Sequence, residues 1–278
     1  MRLTELPFAY TYLSRLGNYR AVAGYVAHEW FPLIITLWIA YSVPWWLTAV
    51  MFLGFLSLYE LGYLVNDLSE SACEPGGNRI EDLRIKDLRI NVLLFSFCHI
   101  FAFMLVAGLL FWFKGPGFAM RYSGLGVLVF GILLLHSSRL TRRIRFLRIF
   151  TFTVLAVYKF APIVLPQVSW PDGQLLLMAV FLCYGFPRVI VYTVRKFGEP
   201  EAQATMQESF RGFQLAGLIA FAPILITVRL ETRDAIAFTL IFALYFVICV
   251  SSFGLHLVRV KSLKQAAQAF LSPSNSSW

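Results

Sequence analysis

Five oxygen-bearing side chains crowd the polar end of an apolar run. They are Glu60, Asn66, Asp67, Glu70 and Glu74, within Tyr59–Arg79, YELGYLVNDLSESACEPGGNR. Helix positions three, four and seven apart share a face. Glu60, Tyr63, Asp67, Glu70 and Glu74 follow one another at intervals of three, four, three and four, with Asn66 at the shoulder. The spacing predicts a row of carboxylates running from inside an apolar helix to its polar end. Such carboxylates repel unless a cation joins them. Hard oxygen ligands suit Mg²⁺, which uses one or two carboxylates and completes its shell with substrate phosphates. The predicted chemistry is the handling of a Mg²⁺-bound diphosphate, with Asp67, Glu70 and Glu74 on the metal and Asn66 in support. A solvated helix end with scattered acids is the plainer reading, and it accounts poorly for Glu60, which lies within the apolar run.

Cations that could meet a diphosphate lie further on. Tyr184, Arg188, Tyr192 and Arg195 fall at four, four and three, and so share a helix face. An Arg within an apolar run is costly and marks a site by default. Its fork suits phosphate oxygens. Lys159, in a YKFAP turn with Pro162, is the other cation inside a run. It is expected to contact the diphosphate or to pair with Glu60, which would orient a cation or act as a base. Arg79 follows the acidic stretch and joins the diphosphate contacts. Snorkelling toward a membrane surface is the competing account of both Arg188 and Lys159. His28, His99, His136 and His256 show no metal-ligand spacing and read as packed side chains, with His136 near enough to the fifth run to serve a site there. Cys73, Cys98, Cys183 and Cys249 show neither metal nor redox spacing.

These residues need a scaffold, and the composition says which kind. The 278 residues are 59% hydrophobic and 14% charged, against about half and a quarter in a soluble domain. A bilayer core takes roughly 20 apolar residues as helix. Apolar runs of that order occupy 22–41, 45–66, 91–113, 121–138, 147–166, 174–194, 212–229 and 234–258. The fold expected is all-α, a polytopic transmembrane bundle of eight helices in one domain spanning 1–278. A ninth helix fits only if a loop conceals it. With the N-terminus inside, 18 Lys and Arg fall in inside segments and 4 in outside ones. That asymmetry predicts cytoplasmic termini and a cytoplasmic acidic loop, 67–90, in a bacterial inner membrane. The tail, 262–278, is polar. The net charge of +9 follows from this loop bias, so nucleic acid is not an expected partner. The basic join SSRLTRRIRFLR is explained by orientation and anionic lipid, or more sharply by a phosphorylated substrate.

The pattern Asn66-Asp67-x-x-Glu70-x-x-x-Glu74 resembles the first acidic motif of the UbiA-type intramembrane prenyltransferases, usually N-D-x-x-D-x-x-x-D, at the cytoplasmic end of the second helix. HSSRLTRRIRFLRIFTFTVLA is similar to that family's join between helices four and five. The likeness is one of topology over most of the chain and is specific over about fifteen residues. Two of the family's aspartates are glutamates here. Its second motif, D-x-x-x-D after helix six, has no counterpart in YTVRKFGEPEAQATMQESF, and the family typically has nine helices. The resemblance implies a Mg²⁺-dependent transferase that ionises an isoprenoid diphosphate and passes the prenyl group to an acceptor. A terpene cyclase that quenches the cation internally, and a non-catalytic lipid-binding or carrier protein, are the alternatives.

Overall fold

The computed structural model describes residues 6–12, 18–73, 91–198, 218–219 and 233–251. All regular structure among them is helical. Seven helices are long and apolar enough to cross a membrane: Val22–Tyr41, Trp45–Ser69, Val92–Lys114, Pro116–Ser137, Arg145–Val164, Trp170–Val194 and Arg233–Ser251. We call them the first to seventh spans. They match seven of the eight predicted runs. The eighth, 212–229, lies outside the described residues except at 218–219, as do most of the acidic loop and the tail.

The second span is the hub. Of its apolar window, 72% is buried inside the bundle, against 22% for the third span and 28% for the fourth. The third and fourth therefore turn most of their surface to lipid. Small residues let helices approach closely where lipid gives no hydrophobic drive. A Cβ on Gly54 would lie 2.7 Å from Cβ of Val106 in the third span and 2.6 Å from the Tyr122 hydroxyl in the fourth. One on Gly62 would lie 2.2 Å from Leu133 in the fourth. Asn91 caps the third span by accepting from the Leu94 amide at 3.2 Å. Gly115, at φ 87°, makes the turn to Pro116. That proline opens the fourth span, where a missing N–H costs nothing.

Three spans are interrupted, each by a proline. A proline lacks the N–H that bonds the carbonyl four residues back, and its ring crowds that carbonyl. The first span breaks at Trp30, between Tyr19–Glu29 and Phe31–Tyr41, with Pro32 just beyond. The fifth stops at Tyr158 and resumes at Ala161–Val164, which contains Pro162. The sixth widens into a π-turn over Phe181–Gly185, where the Phe186 amide reaches back to Phe181 O, and Pro187 follows. Glu29, Lys159 and Tyr184 each precede their proline by three residues. The chemistry gathers at these breaks.

Candidate functional site

One buried polar group in the bundle centres on Glu29. One carboxylate oxygen accepts from the Tyr184 hydroxyl at 2.5 Å and from Arg188 Nη1 at 3.2 Å. The other takes the Lys159 ammonium. The Lys159 Nζ lies 5.0 Å from the ring centre of Tyr59, 5.4 Å from Phe160 and 5.8 Å from Tyr25, within cation–π range of all three. The Arg188 guanidinium lies over the Tyr184 ring at 4.1 Å. One carboxylate facing two cations leaves this cluster with a net positive charge. The Glu29 side chain is 3% exposed and that of Lys159 13%, whereas that of Arg188 is 45% exposed and opens the cluster on one side. Tyr245 of the seventh span stacks on Tyr184 at 5.6 Å, and among the described residues its buried hydroxyl has no hydrogen-bond partner.

Glu60 is one of two partners expected for Lys159, the diphosphate being the other, and the structure corrects the Glu60 pairing. Glu60 is fully buried one helix face away and is already bonded. Its oxygens accept the backbone N–H groups of Phe8 and Thr11 at 2.6 Å each, and one faces His99 Nε2 at 3.0 Å. His99 Nδ1 meets the Phe95 carbonyl at 2.8 Å. A carbonyl only accepts, so Nδ1 carries a proton, and the contact with Glu60 needs a further proton on one of its two partners. His99 packs in the core as expected and adds a contact to Glu60, which is an anchor for Phe8 and Thr11. Neither the base role nor the cation-orienting role expected for Glu60 matches this environment.

Nearly two turns along the same helix, Asn66 and Asp67 meet two other segments. Asp67 is 1% exposed and accepts the Tyr10 hydroxyl at 2.7 Å. Asn66 Nδ2 lies 3.5 Å from the second Asp67 oxygen. From the short helix Arg139–Arg143, Arg142 Nη2 reaches the Asn66 carbonyl at 3.0 Å and its side-chain oxygen at 3.4 Å, while Arg142 Nε bonds Ser137 O. The remaining nitrogen, Arg142 Nη1, is buried without a partner among the described residues. Glu70 is in the helix, but its side chain lies outside the described residues, as do Glu74 and Arg79 altogether. Among the described residues no three His, Cys, Asp or Glu side chains come together as a metal site. Asp67 offers one hard oxygen ligand of the kind Mg²⁺ takes, beside the neutral oxygen of Asn66.

The predicted face of the sixth span divides. Tyr184 and Arg188 join Glu29. Tyr192 stacks on Phe152 at 3.9 Å, accepts from Arg148 Nε at 2.9 Å and lies 3.3 Å from His136 Nε2. His136 Nδ1 is 2.8 Å from Thr151 Oγ1, so this histidine does meet the fifth span. The Arg195 side chain lies outside the described residues.

Glu29 is the residue that sequence reasoning passed over. It is the only acidic residue in the run 22–41. The rule that flagged Arg188, an ionisable group within a membrane helix, would have flagged it too. Arg142 was legible only as one of several basic residues in a loop. No protein family, curated protein or solved structure matches the chain.

Proposed function

We propose that this chain is a Mg²⁺-dependent intramembrane transferase that binds an isoprenoid diphosphate at the cytoplasmic end of the bundle, ionises it and passes the prenyl group to an acceptor. The observation that carries this reading is Arg142. Its guanidinium is tied to Asn66 beside Asp67, and its Nη1 is buried with no partner among the described residues. A desolvated donor costs free energy unless an acceptor fills its place. A phosphate oxygen is such an acceptor, and charge-assisted bonds of this kind are the strong ones.

In this reading Asn66 and Arg142 position the headgroup. Asp67, with Glu70 and Glu74 further along the helix, would hold Mg²⁺, which supplies neutralisation of charge on the departing diphosphate. Arg188, partly exposed beside Glu29, would be open to a ligand's phosphate oxygens. Tyr25, Tyr59 and Phe160 surround the Lys159 cation, and their rings could equally stabilise positive charge on a ligand.

The test uses purified protein in nanodiscs with farnesyl diphosphate and Mg²⁺. Wild type binds the probe and releases diphosphate. Arg142→Ala weakens binding on the order of tenfold to a hundredfold, the worth of a charged hydrogen bond. Failure of wild type to bind any prenyl diphosphate sinks the reading. A hydrocarbon product formed without an acceptor identifies a cyclase instead. Binding without release identifies a non-catalytic lipid-phosphate binder. That second reading is favoured by one observation: Glu60 and Asp67 are both hydrogen-bonded to the N-terminal segment.

A further inference from the structure

We propose that the join between the fourth and fifth spans is a docking surface for an anionic phospholipid, whose phosphate meets Arg139, Arg143 and Arg145 while its acyl chains lie against Ile144, Phe146 and Phe150. This goes beyond the diphosphate reading and uses none of its ligands. Five arginines stand within Arg139–Arg148, and the fold sorts them. Arg142 turns inward, to Asn66 and Ser137. Arg148 is buried and bonds the Tyr192 hydroxyl. Arg139, Arg143 and Arg145 are exposed, and among the described residues none of the three has an ion-pair partner. The neighbouring chain offers none either, because no acidic residue occurs between Asp87 and Asp172. Arg139 and Arg143 stand four apart on one short helix, where like charges repel. An anion held between them relieves that repulsion, and the guanidinium fork suits phosphate oxygens.

These cations are set among exposed apolar side chains. Ile144 separates Arg143 from Arg145, and Phe146 follows at 76% exposed. Phe150, one turn on, is exposed too and stacks on Phe146 with ring centres 6.3 Å apart. Snorkelling to water would account for a row of cations alone. Cations interleaved with exposed aliphatic and aromatic groups match a phospholipid, which presents phosphate directly above hydrocarbon. The surface is also held in shape. Ser138 caps the helix Arg139–Arg143 by accepting from the Thr141 amide, and the Thr141 hydroxyl donates to Leu135 O at 2.6 Å. Extended backbone at Ile144, φ −107° and ψ 101°, turns the chain into the fifth span. The Arg145 guanidinium lies 5.6 Å from the ring centre of Phe197, the last residue of the helix that ends the sixth span.

The probes are phosphatidylglycerol and phosphatidylcholine, each titrated into the full chain in detergent, with native mass spectrometry counting the first lipid bound. Wild type binds the anionic lipid more tightly. Arg143→Gln with Arg145→Gln lowers that preference by about fivefold or more, the worth of at least one arginine at an anionic surface. Arg143→Lys with Arg145→Lys keeps the charge and most of the preference. Arg121→Gln removes an exposed arginine near the opposite end of the fourth span and leaves the preference unchanged. Equal binding of the two lipids by wild type, or a wild-type preference in the Gln pair, overturns the proposal. A loss in Arg121→Gln as large as in the Gln pair means attraction spread over the whole chain and overturns it as well. Excess inorganic phosphate at constant ionic strength leaves the preference standing; abolition by phosphate identifies a site for the soluble anion and refutes the lipid. If the Gln pair does not fold, photocrosslinking of wild type with a diazirine-bearing phosphatidylglycerol decides. Adducts within 139–150 support the join, and adducts only elsewhere refute it.

Discussion

Replacing Glu29 by Gln tests whether the charged cluster holds the bundle together. The substitution keeps the size of the side chain and one carbonyl acceptor for Tyr184. It removes the negative charge that faces both Lys159 and Arg188. The Lys159 side chain is 13% exposed, so water does little to replace the lost partner. Removing one member of a buried pair costs about 3–5 kcal/mol because the other charge is left uncompensated. Arg188 is 45% exposed and adds little to that loss. At about 2 °C per kcal/mol for a chain of this size, the midpoint of thermal unfolding in detergent falls by roughly 6–10 °C. The decisive step is the double variant. Lys159→Met removes the stranded ammonium while filling its stem's volume, so Glu29→Gln with Lys159→Met recovers much of the loss. The coupling between the two sites is on the order of 2 kcal/mol. Thermal scans of the four proteins in one detergent measure it. Additive losses, or a Glu29→Gln midpoint equal to wild type, refute the argument that this pair is desolvated and mutually dependent.

Two further substitutions probe the scaffold, alongside Arg142→Ala at the candidate site. Gly54→Ala places a Cβ 2.7 Å from Cβ of Val106 and 2.6 Å from the Tyr122 hydroxyl, which also bonds Met51 O. Neither the Val106 branch point nor the tethered ring can swing clear, so the cost is about 1–3 kcal/mol, and an unchanged melting midpoint contradicts the close packing of the second and third spans. Asn91→Ala removes the cap at Leu94 and lowers stability by about 1 kcal/mol; Asn91→Asp, which can still accept that bond, stays close to wild type in the same melt.

Much of the architecture is legible in hydropathy alone, because a membrane span must satisfy its backbone internally and cover it with apolar side chains. Seven runs emerge as helices close to where their composition places them. The helical row from Glu60 to Asp67 is legible too, since spacing fixes which residues share a face. What the row faces is another matter. Glu60 is met by backbone N–H groups of Phe8 and Thr11, and no side-chain pattern announces a backbone donor. The pairing of Lys159 with Glu29 rather than Glu60 depends on which helices are neighbours, which spacing within one helix does not reveal. A subtler clue was present. Glu29, Lys159 and Tyr184 each stand three residues before a proline, the positions at which three helices come apart and let polar groups in. The regular spacing of Tyr184, Arg188 and Tyr192 says which residues share a face but not which neighbours each turn meets: Tyr192, one turn beyond Arg188, lies against Arg148, His136 and Phe152 instead of Glu29.

The segment 6–12 also has a place in the order of assembly. Its residues are made before its partners Glu60 and Asp67, which lie 49 to 57 positions later in the chain. His99, which completes the Glu60 site, is later still. The segment has nothing to bind until the second and third spans are in the bilayer side by side. It is thus made before its partners and settles after them. Substitutions that weaken its contacts should leave insertion of the spans intact and interfere with this closing step, giving a protein that reaches the membrane with its buried acids uncovered.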